Sequence, residues 1–70
     1  MKVKFKSKEE LPVTLNAEHI AGYLGISRGM AYALLNNKNC PTLRLGRRHI
    51  VPRDLFLDWI ESNIGNNIDI

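Results

Sequence analysis

The chain has a single cysteine, Cys40, so no disulfide can form within it. No apolar run comes near the roughly 20 residues that a membrane-spanning helix needs. The first residues, Met1 to Lys6, alternate lysine with apolar side chains and lack an apolar h-region, so no secretion signal is expected. With one thiol and no span, the expected compartment is the cytoplasm. No Cys-x-x-Cys or His-x-x-x-His pair is present. His19, His49 and Cys40 stand far apart in sequence, so no metal site is expected. There is no glycine-rich phosphate loop either. Ser27 has no basic partner close in sequence, and Asp54 and Asp58, one helical turn apart, read as a solvated face. No enzyme activity and no cofactor are expected.

Seventy residues make one domain at most, with a modest core. The hydrophobic fraction of 44% is that of a folded chain. The formal net charge of +3 conceals an uneven distribution. Residues 19–53 contain Arg28, Lys38, Arg44, Arg47, Arg48 and Arg53 and no acid at all. Residues 54–70 contain Asp54, Asp58, Glu61 and Asp69 and no base. A cationic block of this kind suits a polyanionic partner.

Within that block the spacing is that of a helix-turn-helix. Counted from Ala17, the small residue falls fifth, at Ala21, and the turn glycine ninth, at Gly25. Ile20, Leu24, Ile26, Ala31 and Leu34 occupy the apolar places that hold two helices at a fixed angle. Asn16 is a suitable N-cap for a first helix over 17–24, with Glu18 in its first turn and a Leu15–Ile20 staple. Gly25 ends that helix by taking positive φ. Ser27 caps a second helix over 28–37, and Asn36-Asn37-Lys38-Asn39 stops it with residues that tolerate left-handed geometry.

Beyond Cys40-Pro41, the runs Leu43-Arg44-Leu45 and Arg48-His49-Ile50-Val51 flank Gly46-Arg47. A glycine first in a two-residue loop fits a type II′ hairpin. Pairing outward sets Leu45 opposite Arg48, Arg44 opposite His49 and Leu43 opposite Ile50. This reading turns Leu43 and Ile50 inward, Arg44 and His49 outward, and places Arg47 and Arg48 at the tip. Pro52 marks the start of a third helix. Leu55, Phe56, Trp59 and Ile60 supply its core stripe, with Trp59 as the anchor. Three regions follow: an N-terminal arm or short strand over 1–12, a winged helix-turn-helix over 13–63 and a frayed tail over 64–70. The fold class is mostly α with a small β-hairpin, three helices plus a wing. The Lys-Val-Lys-Phe-Lys segment reads equally as a strand or as a basic arm touching DNA backbone. Ile64, Ile68 and Ile70 read as fraying or as partner contacts.

The stretch Ile26-Ser27-Arg28 … Ala31-Tyr32 … Leu34-Leu35, followed by Arg44-Leu45-Gly46-Arg47-Arg48-His49 … Pro52-Arg53-Asp54 … Trp59-Ile60, resembles the excisionase-like DNA-binding proteins. These are small winged relatives of the MerR DNA-binding domain carried by phages, transposons and plasmids. The resemblance covers about residues 13–62. It implies that the second helix enters the major groove, with Ser27, Arg28 and Tyr32 at the DNA face. It also implies that Arg44, Arg47 and Arg48 on the wing meet the minor groove or backbone. The residues themselves add detail. Arg28 suits a guanine edge or a phosphate. Tyr32 suits backbone or a thymine methyl, or else packing against the wing. Asn36 shares its face and reads as a DNA contact or a helix end. Arg47 and Arg48 suit a narrow minor groove, His49 a phosphate, and Arg53 a phosphate or an ion pair with Asp54.

This chain departs from the family at Gly29, Met30, Ala33 and Ile50, where the family usually has hydroxyl or arginine side chains. Binding is therefore expected to lean on the wing. The resemblance implies an architectural role: copies on adjacent sites bend DNA and direct an integrase. A prophage-type transcription regulator using the same surface is the alternative. A protein-interaction module that has lost DNA binding, working through the acidic third helix and the isoleucine tail, is another. No heptad seam marks a stable dimer.

Overall fold

The computed structural model describes residues 7–68. The expected strand or arm over residues 2–6, and Ile70 of the tail, lie outside them. A single 3-10 turn, Lys8–Glu10, leads to strand β1 (Thr14–Leu15) and helix α1 (Ala17–Leu24). Helix α2 (Arg28–Leu35), strands β2 (Leu43–Leu45) and β3 (Arg48–Pro52) and helix α3 (Arg53–Ser62) follow.

Local chemistry sets both helix starts. Asn16 Oδ1 accepts from the His19 backbone N–H at 3.0 Å, and the Asn16 N–H donates to His19 Nδ1 at 3.1 Å. This is a capping box with histidine in the place usually held by Glu or Gln. Gly25, at φ 69°, ends α1, and its N–H donates to the Ala21 carbonyl at 2.9 Å. Ser27 Oγ then accepts from the Met30 N–H at 3.1 Å and starts α2. Only two residues separate the helices beyond the cap, so they cross tightly. Ile20 and Ala31 are fully buried at the crossing.

Helix α2 ends at Leu35, two residues before the expected boundary. None of its asparagines takes left-handed geometry, since among the described residues only Gly25, Gly46 and Gly65 have positive φ. The stop comes instead from side-chain competition for backbone groups. Asn37 Oδ1 accepts from the Asn39 N–H at 2.9 Å, and the Cys40 N–H donates to the Asn37 carbonyl at 3.0 Å. Thr42 Oγ1 donates to the Leu35 carbonyl at 2.7 Å and joins the helix end to the wing.

The sheet has three antiparallel strands in the order β1-β3-β2. The hairpin register is Leu43↔Ile50, Arg44↔His49 and Leu45↔Arg48, as the turn chemistry predicts. Gly46 has φ 60° and Arg47 stays at negative φ, which distinguishes a type II′ turn from type I′. The inward face differs from the expectation. Val51 is the fully buried residue of β3, and it pairs with Leu15 of β1. Alternation along a strand then puts Ile50 and Leu43 on the opposite side, with Arg44 and His49 on the side of Val51. Leu43 is 51% exposed. Two adjacent apolar residues, Ile50 and Val51, left the parity open, and β1 decides it.

Helix α3 starts directly from β3. Its first N–H, on Arg53, donates to the Val13 carbonyl at 2.7 Å, and Arg53 Nη1 donates to the Leu11 carbonyl at 3.1 Å. Arg53 Nε also meets Asp54 Oδ1 at 3.1 Å, the ion pair that was one of its two expected roles. Phe56, not Trp59, anchors the core. Phe56 is fully buried, Trp59 is half-buried with its ring 6.1 Å from that of Phe56, and Leu55 is 52% exposed. Two eight-residue helices and a thin sheet cover only a narrow stripe of α3, too narrow for both Leu55 and Phe56. The core comprises Leu11, Leu15, Ala17, Ile20, Ala31, Leu34, Leu35, Cys40, Val51 and Phe56, and Ile68 of the tail packs partly buried against it.

Candidate nucleic-acid interface

Three elements converge on one furrow. Helix α2 contributes Arg28, Tyr32 and Asn36, which follow one another at i, i+4 and i+8 and so share a face. The wing contributes Arg47, Arg48, His49 and Ile50. The first turn of α1 contributes Asn16, Ala17 and Glu18. One hollow lies between α2 and the wing, a second between α2 and the start of α1. They share Asn16, Ala17 and Tyr32 and form a continuous channel. Buried Ala17, small and apolar, lines both hollows.

Six of the eight residues singled out from the sequence line this furrow: Arg28, Tyr32, Asn36, Arg47, Arg48 and His49. Tyr32 is 51% exposed, so its ring is available at the surface rather than packed away. Ser27 stands apart, its oxygen engaged as the cap of α2. Arg44 is exposed on β2 and does not line the furrow. Sequence reasoning missed the contribution of α1. No spacing rule connects Asn16 to Arg48, and only the folded crossing of α1 and α2 brings them together.

The charges are arranged asymmetrically. Arg47 and Arg48 are exposed and make no ion pair among the described residues. Arg28 Nη2 lies 3.3 Å from Glu18 Oε1 across the helix crossing, and both side chains remain largely exposed. The channel thus offers two unpaired guanidinium groups at the wing end and one compensated pair at the other. Paired and unpaired guanidinium groups, an amide and a phenol are hydrogen-bonding groups suited to phosphates and base edges.

No three His, Cys, Asp or Glu side chains converge as metal ligands among the described residues. No helix among them is long and apolar enough to cross a membrane. Cys40 is buried beneath the turn that joins α2 to β2. Burial pushes its thiol pKa up, and a side-chain hydrogen bond with Thr42 opposes that shift.

A family model described as a helix-turn-helix domain matches residues 14–64. Comparison with curated proteins and with solved structures gives no match. The matched span runs from β1 to just beyond α3 and takes in the whole furrow, three helices and wing included. The chain belongs to the helix-turn-helix domain family, a domain found in excisionase-like DNA-binding proteins, and DNA is the partner class this membership supports.

Proposed function

We propose that this protein reads a specific duplex DNA sequence, with α2 in the major groove and the wing on the adjacent minor groove or backbone. The observation that carries the reading is the continuous furrow that joins the exposed face of α2 to the Arg47–Arg48 tip. An α-helix fits the major groove, and a cationic tip fits the more negative minor groove beside it. Binding, not catalysis, is its work, in the cytoplasm.

In the finer form of the proposal the protein is an architectural, excisionase-like factor. Neighbouring copies occupy repeated sites, bend the DNA and position an integrase. A projecting wing supports this, because a domain with few base contacts gains specificity by binding in tandem and by deforming DNA. Gly29, Ala33 and Ile50 supply no cation or hydroxyl to the DNA side, which strengthens the need for tandem binding.

Selection from a random duplex library at physiological salt tests the reading. It is followed by a salt series and a gel-shift bend assay on the selected site. We expect an enriched motif in tandem copies, a salt slope corresponding to about four to seven phosphates and a measurable bend. An enriched motif without repeats or bending would replace the architectural role with that of a transcription regulator using the same surface. No enrichment and no salt-sensitive binding would refute DNA reading and turn attention to protein partners.

A further inference from the structure

The furrow holds a single acid among the described residues that line it, Glu18. Its position in the first turn of α1 is compatible with the helix dipole, but any acid on that turn would satisfy the dipole. What distinguishes Glu18 is its partner. Its carboxylate lies 3.3 Å from the Arg28 guanidinium, a residue ten positions away and on the next helix. Arg28 and Glu18 are 68% and 54% exposed, so solvent screens the pair and it adds little to the fold. Its consequences lie in what reaches the furrow.

We infer that Glu18 is a positioning residue for DNA reading, one that withholds Arg28 from phosphates and presents it to a base edge. The inference rests on the DNA-binding reading above. An unpaired arginine in a cationic channel accepts any phosphate, and such contacts carry no sequence information. A phosphate approaching Arg28 meets the Glu18 carboxylate beside it and is repelled. A base pair is received differently. Guanine O6 and N7 accept from the guanidinium, while cytosine N4 donates to a carboxylate. Arg28 and Glu18 side by side thus match the two halves of one G·C pair, and neither is left opposed by like charge. Arg47 and Arg48, which have no ion-pair partner among the described residues, remain free for backbone. The channel is divided into a reading end and a gripping end.

Fluorescence anisotropy with the selected duplex and with a random duplex, each across a salt series, tests this in four proteins. These are the wild type, Glu18→Gln, Arg28→Ala and the double variant. Both side-chain changes are at exposed positions, and thermal melting followed by Trp59 fluorescence verifies folding. Glu18→Gln is expected to bind random duplex roughly two- to fivefold more tightly. It should also steepen the slope of log K against log salt by about 0.9, the increment for one more neutralised phosphate. The ratio of specific to random affinity falls, and repeat selection with Glu18→Gln loses one G·C preference. In the Arg28→Ala background the effect of Glu18→Gln on the slope vanishes. Unchanged slope and ratio in Glu18→Gln, or an effect that persists without Arg28, would overturn the inference while leaving DNA binding intact. A wild type with no salt-dependent duplex binding would refute the DNA reading itself.

Discussion

Replacing Arg47 and Arg48 together by alanine isolates the gripping function of the wing. Both side chains are exposed at or beside the type II′ turn, and neither makes an ion pair among the described residues. Loss of an exposed, unpaired side chain changes stability by no more than about 0.5 kcal/mol, so the folded state should survive intact. The effect on DNA is larger and has a definite form. Each phosphate neutralised contributes about 0.9 to the slope of log K against log salt, so losing two reduces the slope by about 1.8. Between 50 and 200 mM salt the concentration rises fourfold. The wild type should therefore lose roughly twelvefold more affinity than the double variant over that interval. Anisotropy titrations at four salt concentrations measure both slopes, and chemical denaturation confirms equal stability. Arg44→Ala is the internal control: one arginine is removed from the same hairpin, outside the furrow, and the slope should change by less than the roughly 0.9 that one lost phosphate contact gives. Equal slopes for wild type and Arg47→Ala/Arg48→Ala, with both proteins folded, would refute the placement of the wing on DNA.

Predictions at five further residues follow from the packing. Phe56→Ala removes a fully buried ring and should cost about 3–5 kcal/mol, enough to leave a domain of this size largely unfolded by circular dichroism. Trp59→Ala should leave a folded protein, because that ring is only half-buried. Gly29→Ala should stabilise the domain by about 0.4–1 kcal/mol in urea titrations. A Cβ there meets nothing nearer than Ser27 Oγ at 4.0 Å, and the backbone is already helical. Asn16→Ala should cost about 1–2 kcal/mol, since it removes the side-chain half of a capping box and leaves the His19 backbone N–H without its cap. Cys40 should react with a thiol reagent far more slowly in the folded protein than in urea. Its raised folded pKa means that the unfolded thiol ionises first, so stability should be lost progressively as pH rises through the alkaline range.

What the sequence disclosed follows from range. Helix starts, the α1 stop and the hairpin register depend on side chains within four residues of one another. Asn16, Gly25, Ser27 and Gly46 announced them. The pairing of Thr14 with Pro52 and of Leu15 with Val51 depends on residues nearly forty positions apart. A two-residue strand has no periodicity to detect, so β1 was invisible. With it went the parity of Ile50 and Val51 and the true inward face of the wing. The same limit hid the α1 edge of the furrow. Histidine as the second member of a capping box was missed for a chemical reason. Only a neutral imidazole with a free Nδ1 lone pair can accept there, and a sequence does not reveal the tautomer. On α3, apolar residues at 55, 56, 57, 59 and 60 span more arc than the small body can cover. Composition alone did not rank Phe56 above Trp59.

The parity of β3 also governs how this scaffold can vary. One continuous strand carries Val51 in the core and Arg48 near the tip, so the body dictates which way each wing residue faces. Lengthening the hairpin by one residue on each strand would turn the tip side chains to the opposite side of the sheet. Lengthening it by two would restore their orientation and carry them about 7 Å further out. The reach of the wing is thus quantised. Descendants of this chain can lengthen their grasp along DNA only in double steps, or else must exchange the face on which their arginines are written.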